Sequence, residues 1–290
     1  LQLFILNQRL FVRNLVQLFW YGGLLMYKMI VTDLDGTLLD NNKNVSDSSK
    51  KYLKELKDNG YIICVDTGRT IGRARYALEG FDYVNYIIGN NGTFIYDVCN
   101  DKSLYKSTIK TEDVKELFIK YLNEYEVFEI NSYENILSYR IRSRNIDPYV
   151  EKIDNKDEFF DKISEVYNVI IRFENENMVN VFLEDLKNNY KDISFFIMEN
   201  SFAKKRRITL INKNDNKFNG ICILKDKLGI NNKDIIAFGD GLNDLDMIKN
   251  VGFEVAMKNA LNELKNIADD ITRDDNNNDG VINYLKSTIK

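Results

Sequence analysis

The chain predicts an α/β protein: a parallel sheet core with a second α/β unit inserted into it. Three observations carry this. Short apolar, β-branched runs alternate with amphipathic helical stretches, the pattern of βα repeats building a parallel sheet. Three of those runs end in turns of small and acidic residues. Between the first and second turns there is room for one helix and one strand only. Between the second and third there is room for a whole further domain.

Residues 29–33, MIVTD, read as a buried strand. After the polar loop DNNKN, Ser46 is placed to cap a helix through about Asn59, with Tyr52, Leu53 and Leu56 inward and Gly60 as the stop. YIICVD, residues 61–66, is a second buried strand, TIGRARYALEG a helix, and YVNYIIGNNG a strand entering a turn. From about Val98 to Phe202 the texture changes. There TEDVKELFIKYLNEY reads as a helix and YNVIIRF and ISFFIM as strands, without a chemistry-bearing motif. FNGICILKDKLGI is a helix ending near Gly229, and DIIAFGD, residues 234–240, is a third apolar strand running into a glycine turn. DDNNNDG, residues 274–280, is a surface turn.

The expected organisation is therefore a Rossmann-like core of residues 26–97 and 203–290, with a cap domain of residues 98–202. Residues 1–25 are largely apolar, with Arg9 and Arg13 as their only charges, and Met26 and Met29 stand just before the first clear strand. They are expected to be an upstream extension. The alternative is a membrane or partner anchor, although the arginines leave a run shorter than the roughly 20 apolar residues of a spanning helix.

Composition narrows the chemistry. The hydrophobic share of 44% and charged share of 29% suit a globular protein with a real core. A net charge of -4 argues against a broad nucleic-acid-binding surface. There is no histidine. That excludes Ser-His-Asp triads, Cys-His pairs, phosphohistidine chemistry and His-ligated metals. Cys64, Cys99 and Cys222 are scattered and form no metal-type pair, which suggests reduced thiols and a cytoplasmic location.

The three turns are Asp33-Leu34-Asp35-Gly36-Thr37, Asp66-Thr67-Gly68-Arg69 and Gly239-Asp240-Gly241-Leu242-Asn243-Asp244. Ligands of open parallel sheets bind beyond the carboxyl ends of the strands, so the turns should converge. Asp33 and Asp35, two residues apart, can address one centre, and Gly36 permits the tight turn after them. With Asp240 and Asp244 they make four mutually repelling carboxylates that need a cation. An all-oxygen ligand set suits Mg2+. The Thr67 hydroxyl and free backbone N–H groups can hold phosphate oxygens, and Lys217, ahead of a helix, can add positive charge.

Each motif alone has a plainer reading. An Asp-x-Asp-Gly is often a polar turn, Thr-Gly is common in turns, and GDGLND lacks the ligand spacing of a calcium-binding loop. In this order, each after a strand, they read as one site. Arg140, Arg142 and Arg144 would share a strand face, read as solvated rather than substrate-binding. Lys204, Lys205, Arg206 and Arg207 read as a solvated return from cap to core. Arg69 either lines the site or pairs with a core carboxylate.

These residues resemble the haloacid dehalogenase superfamily, and most closely its Cof-type phosphatases, which carry a C2-type cap between their second and third motifs. DLDGTLL is similar to the first motif, TGR to the second, Lys217 in NKFNG to the third and GDGLNDLDM to the fourth. GNNGTFIYD and VAMKNA are also similar to family segments. Thr93 stands where the family often has Ala, and Lys258 where it often has Gly. The resemblance runs from Met29 to Lys290, loosely in the middle.

It implies a Mg2+-dependent phosphomonoester hydrolase. Asp33 would attack phosphorus and form an aspartyl-phosphate. Asp35 would protonate the leaving oxygen and then activate water. Asp33, the backbone carbonyl of Asp35 and Asp240 would bind Mg2+, supported by Asp244. Thr67, Gly68, Lys217 and Asn243 would hold the phosphoryl group. Burial beside other carboxylates is expected to raise the pKa of Asp35. The implied partner is a small phosphorylated metabolite, such as a sugar phosphate, flavin mononucleotide or pyridoxal phosphate. The rivals are a phosphomutase, which would return the phosphoryl group to substrate, and a non-catalytic regulator. The usual mark of the latter, loss of Asp33, Asp35 or Asp240, is absent.

Overall fold

The computed structural model describes residues 27–140, 147–199 and 206–289. The extension 1–25 and Arg142, Arg144, Lys204 and Lys205 lie outside the described residues.

The chain opens with β1 (Met29–Thr32), buried throughout because all four side chains are apolar or hydrogen-bonded. Helix α1 (Asp47–Asp58) starts where Ser46 accepts the Ser49 N–H at 3.1 Å, and it buries Leu53 and Leu56. Strand β2 (Ile62–Asp66), helix α2 (Ile71–Leu78) and strand β3 (Tyr86–Gly89) follow. The chain then reverses twice through β4 (Phe94–Asp97) and β5 (Lys102–Lys106).

A second unit begins with α3 (Thr111–Lys120), β6 (Tyr125–Asn131), β7 (Ile136–Tyr139) and β8 (Val150–Ile153). It continues with α4 (Lys156–Lys162), β9 (Asn168–Phe173), α5 (Asn177–Asn189), β10 (Ile193–Glu199) and β11 (Arg206–Asn212). The first unit resumes with α6 (Lys217–Leu228) and β12 (Ile235–Gly239), then α7 (Leu245–Asn250) and β13 (Phe253–Ala256). It closes with α8 (Asn262–Ile267), β14 (Asp270–Ile271) and α9 (Gly280–Thr288).

Two sheets result. The core sheet has the order β14-β13-β12-β1-β2-β3-β4-β5. It is parallel from β14 to β3, and β4 and β5 add an antiparallel edge. The cap sheet has the order β10-β11-β9-β6-β7-β8 and is antiparallel except for β7 with β8. Two assignments therefore differ from the expected limits of 98 and 202. Strand β5 lies in the core sheet, and β11, with Arg206 and Arg207, lies in the cap sheet rather than forming a solvated return. Texture cannot show this, because an antiparallel edge hairpin looks the same whichever sheet accepts it.

The core and cap have separate hydrophobic clusters. In the cap, Phe118 stacks edge-on against Phe128 and Tyr139, with ring centroids 5.3 and 5.1 Å away. Polar and aromatic contacts seat the cap on the core. The Ile71 N–H donates to Tyr133 O at 3.1 Å, the Thr70 hydroxyl to Glu134 O at 3.0 Å, and Asn168 Nδ2 to Asn90 Oδ1 at 3.1 Å. Tyr133 packs its ring 4.7 Å from Phe94, and Arg73 pairs with Asp147 at 2.9 Å. These residues follow β2 and β3, so the cap covers the carboxyl ends of those strands.

One buried acid in the core sheet yields a pH prediction. Glu254 on β13 is 8% exposed. Burial, then a hydrogen bond with Asp269 and its charge, push the Glu254 carboxyl from 4.5 up to about 8. The folded protein thus holds a proton that the unfolded chain releases above about pH 4.5. Its stabilising effect is full below that pH and is lost as the pH rises to about 8. Glu254→Gln removes the buried charge, so its thermal midpoint at pH 8 should exceed the wild type's by about 2–4 °C. The gain should vanish near pH 4.5. Equal melting curves for the two proteins at pH 8 would contradict this.

Candidate active site

Parallel pairing of β1 with β2 and with β12 brings three strand ends together. Asp33 follows β1 directly, and its N–H donates to Phe238 O of β12 at 3.0 Å. Asp240 follows β12, and Thr67 follows β2, donating its N–H to Ile88 O at 2.8 Å. Gly36, at φ +83°, lets the first turn close on the third. A β-carbon there would lie 2.3 Å from Asp240 Oδ2.

Lys217 is the first residue of α6, capped by the Asn216 side chain, which accepts the Asn219 N–H at 2.7 Å. The helix start is pressed onto Gly92, where a β-carbon would lie 2.0 Å from Asn216 O. This contact drives Lys217 inward. Only 1% exposed, it places Nζ 2.5 Å from Asp33 Oδ1 and 2.7 Å from Asp244 Oδ1. Asp244 spends its other oxygen on the Asp240 and Gly241 N–H groups, each at 3.0 Å, which shapes the turn.

Carboxylate oxygens of Asp33, Asp240 and Asp244 all lie within 4.8 Å of one another. Asp33 and Asp240 each keep one oxygen free of hydrogen bonds among the described residues, whereas Asp244 has none to spare. The charge is under-compensated. Burial, with Asp244 and Asp240 adding repulsion, pushes the Asp33 carboxyl up against the opposing charge of Lys217. Burial and Asp244 push Asp240 up to about 6. Asp33 and Asp240 thus supply the hard, anionic oxygen donors that suit a divalent cation such as Mg2+.

Asp35 departs from expectation. Burial alone would raise its pKa. However, Arg69 grips it with two hydrogen bonds, 2.6 and 2.7 Å, and Lys43 adds a third at 2.8 Å. Together they hold the Asp35 carboxyl well below the usual carboxylate range. The like charges expected to raise it sit around Asp33 instead. Arg69, left open between two readings, is thereby an ion-pair partner of an acid in the first turn.

Thr67, Gly68 and Asn243 gather around a residue to which the reading of GNNGTFIYD gave no role. Asn91, buried and at φ +59°, accepts from Asn243 Nδ2 at 3.4 Å. A β-carbon on Gly68 would meet the same Asn91 oxygen at 3.0 Å. Its signal was the Asn-Asn-Gly turn after β3. Asp66 was also passed over. It is fully buried, and neither carboxylate oxygen has a hydrogen-bond partner. Burial pushes its carboxyl far up, against the pull of Lys217. Arg140, beyond the end of β7, is exposed and stacks over the Tyr139 ring, 5.1 Å from its centroid.

The fold and the site define a capped α/β hydrolase with an acidic centre at the carboxyl ends of a parallel sheet. The chain belongs to the haloacid dehalogenase-like hydrolase family, whose model matches residues 30–285. It is 27% identical over 267 residues to a 5-amino-6-(5-phospho-D-ribitylamino)uracil phosphatase of Bacillus subtilis, covering 90% of this chain and 96% of the relative. A second Bacillus subtilis protein of the same description is 28% identical over 284 residues, covering 89% and 96%. Among solved structures, a haloacid dehalogenase-like hydrolase from Bacteroides thetaiotaomicron superposes with a TM-score of 0.75 at 24% identity, covering 90% of this chain and 99% of that one. The last likeness speaks for the fold. No helix among the described residues is long and apolar enough to cross a membrane.

Proposed function

We propose that this phosphatase is a Mg2+-dependent hydrolase of small phosphorylated metabolites that works through an aspartyl-phosphate on Asp33. The observation that carries the reading is the buried Asp33 carboxylate, 2.5 Å from the Lys217 ammonium and facing Asp240.

An Asp33 oxygen attacks phosphorus, and the bond from phosphorus to the leaving oxygen breaks. Asp35 gives that oxygen a proton. Water then attacks the acyl phosphate, Asp35 takes a proton from it, and phosphate departs with Asp33 restored. Before Asp35 can donate a proton it must be parted from Arg69 and Lys43, since both stabilise its anion. As the anion it is already suited to act as a base in the second step. Lys217 offsets the repulsion between the attacking carboxylate and the phosphoryl group, and Thr67, Gly68 and Asn243 orient that group. Mg2+, held by Asp33, Asp240 and the backbone carbonyl of Asp35, would supply Lewis-acid neutralisation of the phosphoryl oxygens.

The inserted unit serves as the cap, of C2 type, excluding water and selecting the leaving group. The names of the two Bacillus subtilis relatives point to a substrate that carries its phosphate on a sugar-alcohol chain, as 5-amino-6-(5-phospho-D-ribitylamino)uracil does. Such a chain favours the sugar phosphate type; flavin mononucleotide and pyridoxal phosphate are the other two candidates. Free thiols at Cys64, Cys99 and Cys222 support a cytoplasmic location.

The test is phosphate release from p-nitrophenyl phosphate and from a sugar phosphate. Activity should vanish with a chelator and return with Mg2+. Turnover indifferent to chelation would overturn the metal assignment, and an isomerised sugar phosphate without free phosphate would identify a phosphomutase.

A further inference from the structure

The cap sheet has two faces. Phe128, Ile171 and Ile208 turn to the cap's own helices. The alternate residues, Glu129 on β6, Ile170 and Arg172 on β9, and Arg207 and Thr209 on β11, turn the other way. That second face looks onto the core. Asn168, on the same side of β9, bonds to Asn90, and the Arg207 guanidinium lies within electrostatic reach of Asp35 and Arg73.

In the register that pairs Ile208 with Ile171, Arg207 stands opposite Arg172. Like charges directly across a sheet repel, so a facing arginine pair is an unfavourable choice unless an anion joins them. Among the described residues neither guanidinium forms an ion pair or a hydrogen bond, and the Arg172 Nε is buried without a partner there. Glu129, a carboxylate on this face whose charge acts on Arg207, accepts the Ser138 hydroxyl at 3.4 Å and balances only one of the two charges. Arg207 remains open to solvent, yet the surrounding protein desolvates it enough to lower its pKa. The pair therefore stands on the cap face that looks onto the core, with the Arg207 guanidinium within electrostatic reach of Asp35 in the first active-site turn.

We propose that Arg172 and Arg207 form a second anion subsite, so that the substrate carries a carboxylate or second phosphate in addition to the phosphoryl group placed at Asp33. Paired guanidinium forks fit either oxyanion through parallel N–H donors. The inference rests on the proposed function only in placing the phosphoryl group at Asp33.

Binding to the Asp33→Asn protein with Mg2+ present, measured by calorimetry, tests it without turnover. Two ligand pairs are compared. Glycerol 3-phosphate and 3-phosphoglycerate differ by a carboxylate; fructose 6-phosphate and fructose 1,6-bisphosphate differ by a phosphate. In at least one pair the ligand with the extra anion should bind about tenfold more tightly. Adding Arg207→Gln or Arg172→Gln should cut that preference to about threefold or less. Arg207→Lys, which keeps the charge but loses the fork, should fall between. Arg207 is exposed, so its variants should retain the fold, which a thermal melt checks. Equal affinities within both pairs, or a preference that survives both glutamine variants, would overturn the subsite. A wild-type protein that hydrolyses nothing while the preference persists would refute the reaction and leave the subsite standing.

Discussion

Asp33→Asn should lower Mg2+-dependent phosphate release by at least about 10⁴-fold, the scale seen when an attacking group is removed from an enzyme. The amide has nearly the same shape but no anionic oxygen to attack phosphorus. The fold should survive. Asp33 sits in a cluster with Asp66, Asp240 and Asp244, and its removal relieves repulsion there. An amide oxygen can still accept from Lys217, which retains Asp244 as a charged partner at 2.7 Å. The expected record is therefore an unchanged melting midpoint, or a slightly raised one, with no turnover. Activity within tenfold of wild type, after exclusion of contaminating phosphatase, would eliminate Asp33 as the nucleophile.

Lys217→Met should damage both activity and stability. Methionine keeps most of the stem's volume, so the loss is chiefly electrostatic. Breaking a buried pair by removing one partner costs about 3–5 kcal/mol, because the other charge is left uncompensated. Here Asp33 and Asp244 both lose their cation. The effect should depend on pH with a definite sign. Without Lys217 the buried carboxyls bind protons more readily than their unfolded counterparts, so the variant's stability rises as the pH falls from neutrality, where the wild type has its ammonium. Loss of the positive charge beside the phosphoryl group should also reduce kcat/KM by about 10²–10³-fold. Melting curves at pH 7 and pH 5 and a rate assay check both parts. A variant as stable as wild type at both pH values would show that the cluster does not depend on Lys217.

Local signals reach far in this protein. Met29–Thr32, Ile62–Asp66 and Ile235–Gly239 are strands where short β-branched runs call for them, and Ser46 and Gly229 mark helix ends through capping chemistry that depends on a few neighbours. The convergence of Asp33, Asp240 and Thr67 also follows from local facts, since parallel strands put all their carboxyl ends on one side. Non-local choices were less legible. Whether β5 and β11 joined the core or the cap sheet depended on which edge accepted their backbone hydrogen bonds. Asn91 lay in the noted segment GNNGTFIYD but was given no role, and became part of the site by being packed against Gly68 and Asn243.

The sequence by itself determined the α/β class, the place of the insertion and the stock of groups available for chemistry. Without histidine, and with carboxylates at the ends of strands, few alternatives remained. Only the tertiary structure decided the charge state in which each carboxylate waits. Asp33 and Asp35 are two residues apart, yet burial drives one up while Arg69 and Lys43 hold the other down. The reason is that a pKa reports the few ångströms of space around a group. Lys217 and Arg69 enter that space from distant parts of the chain.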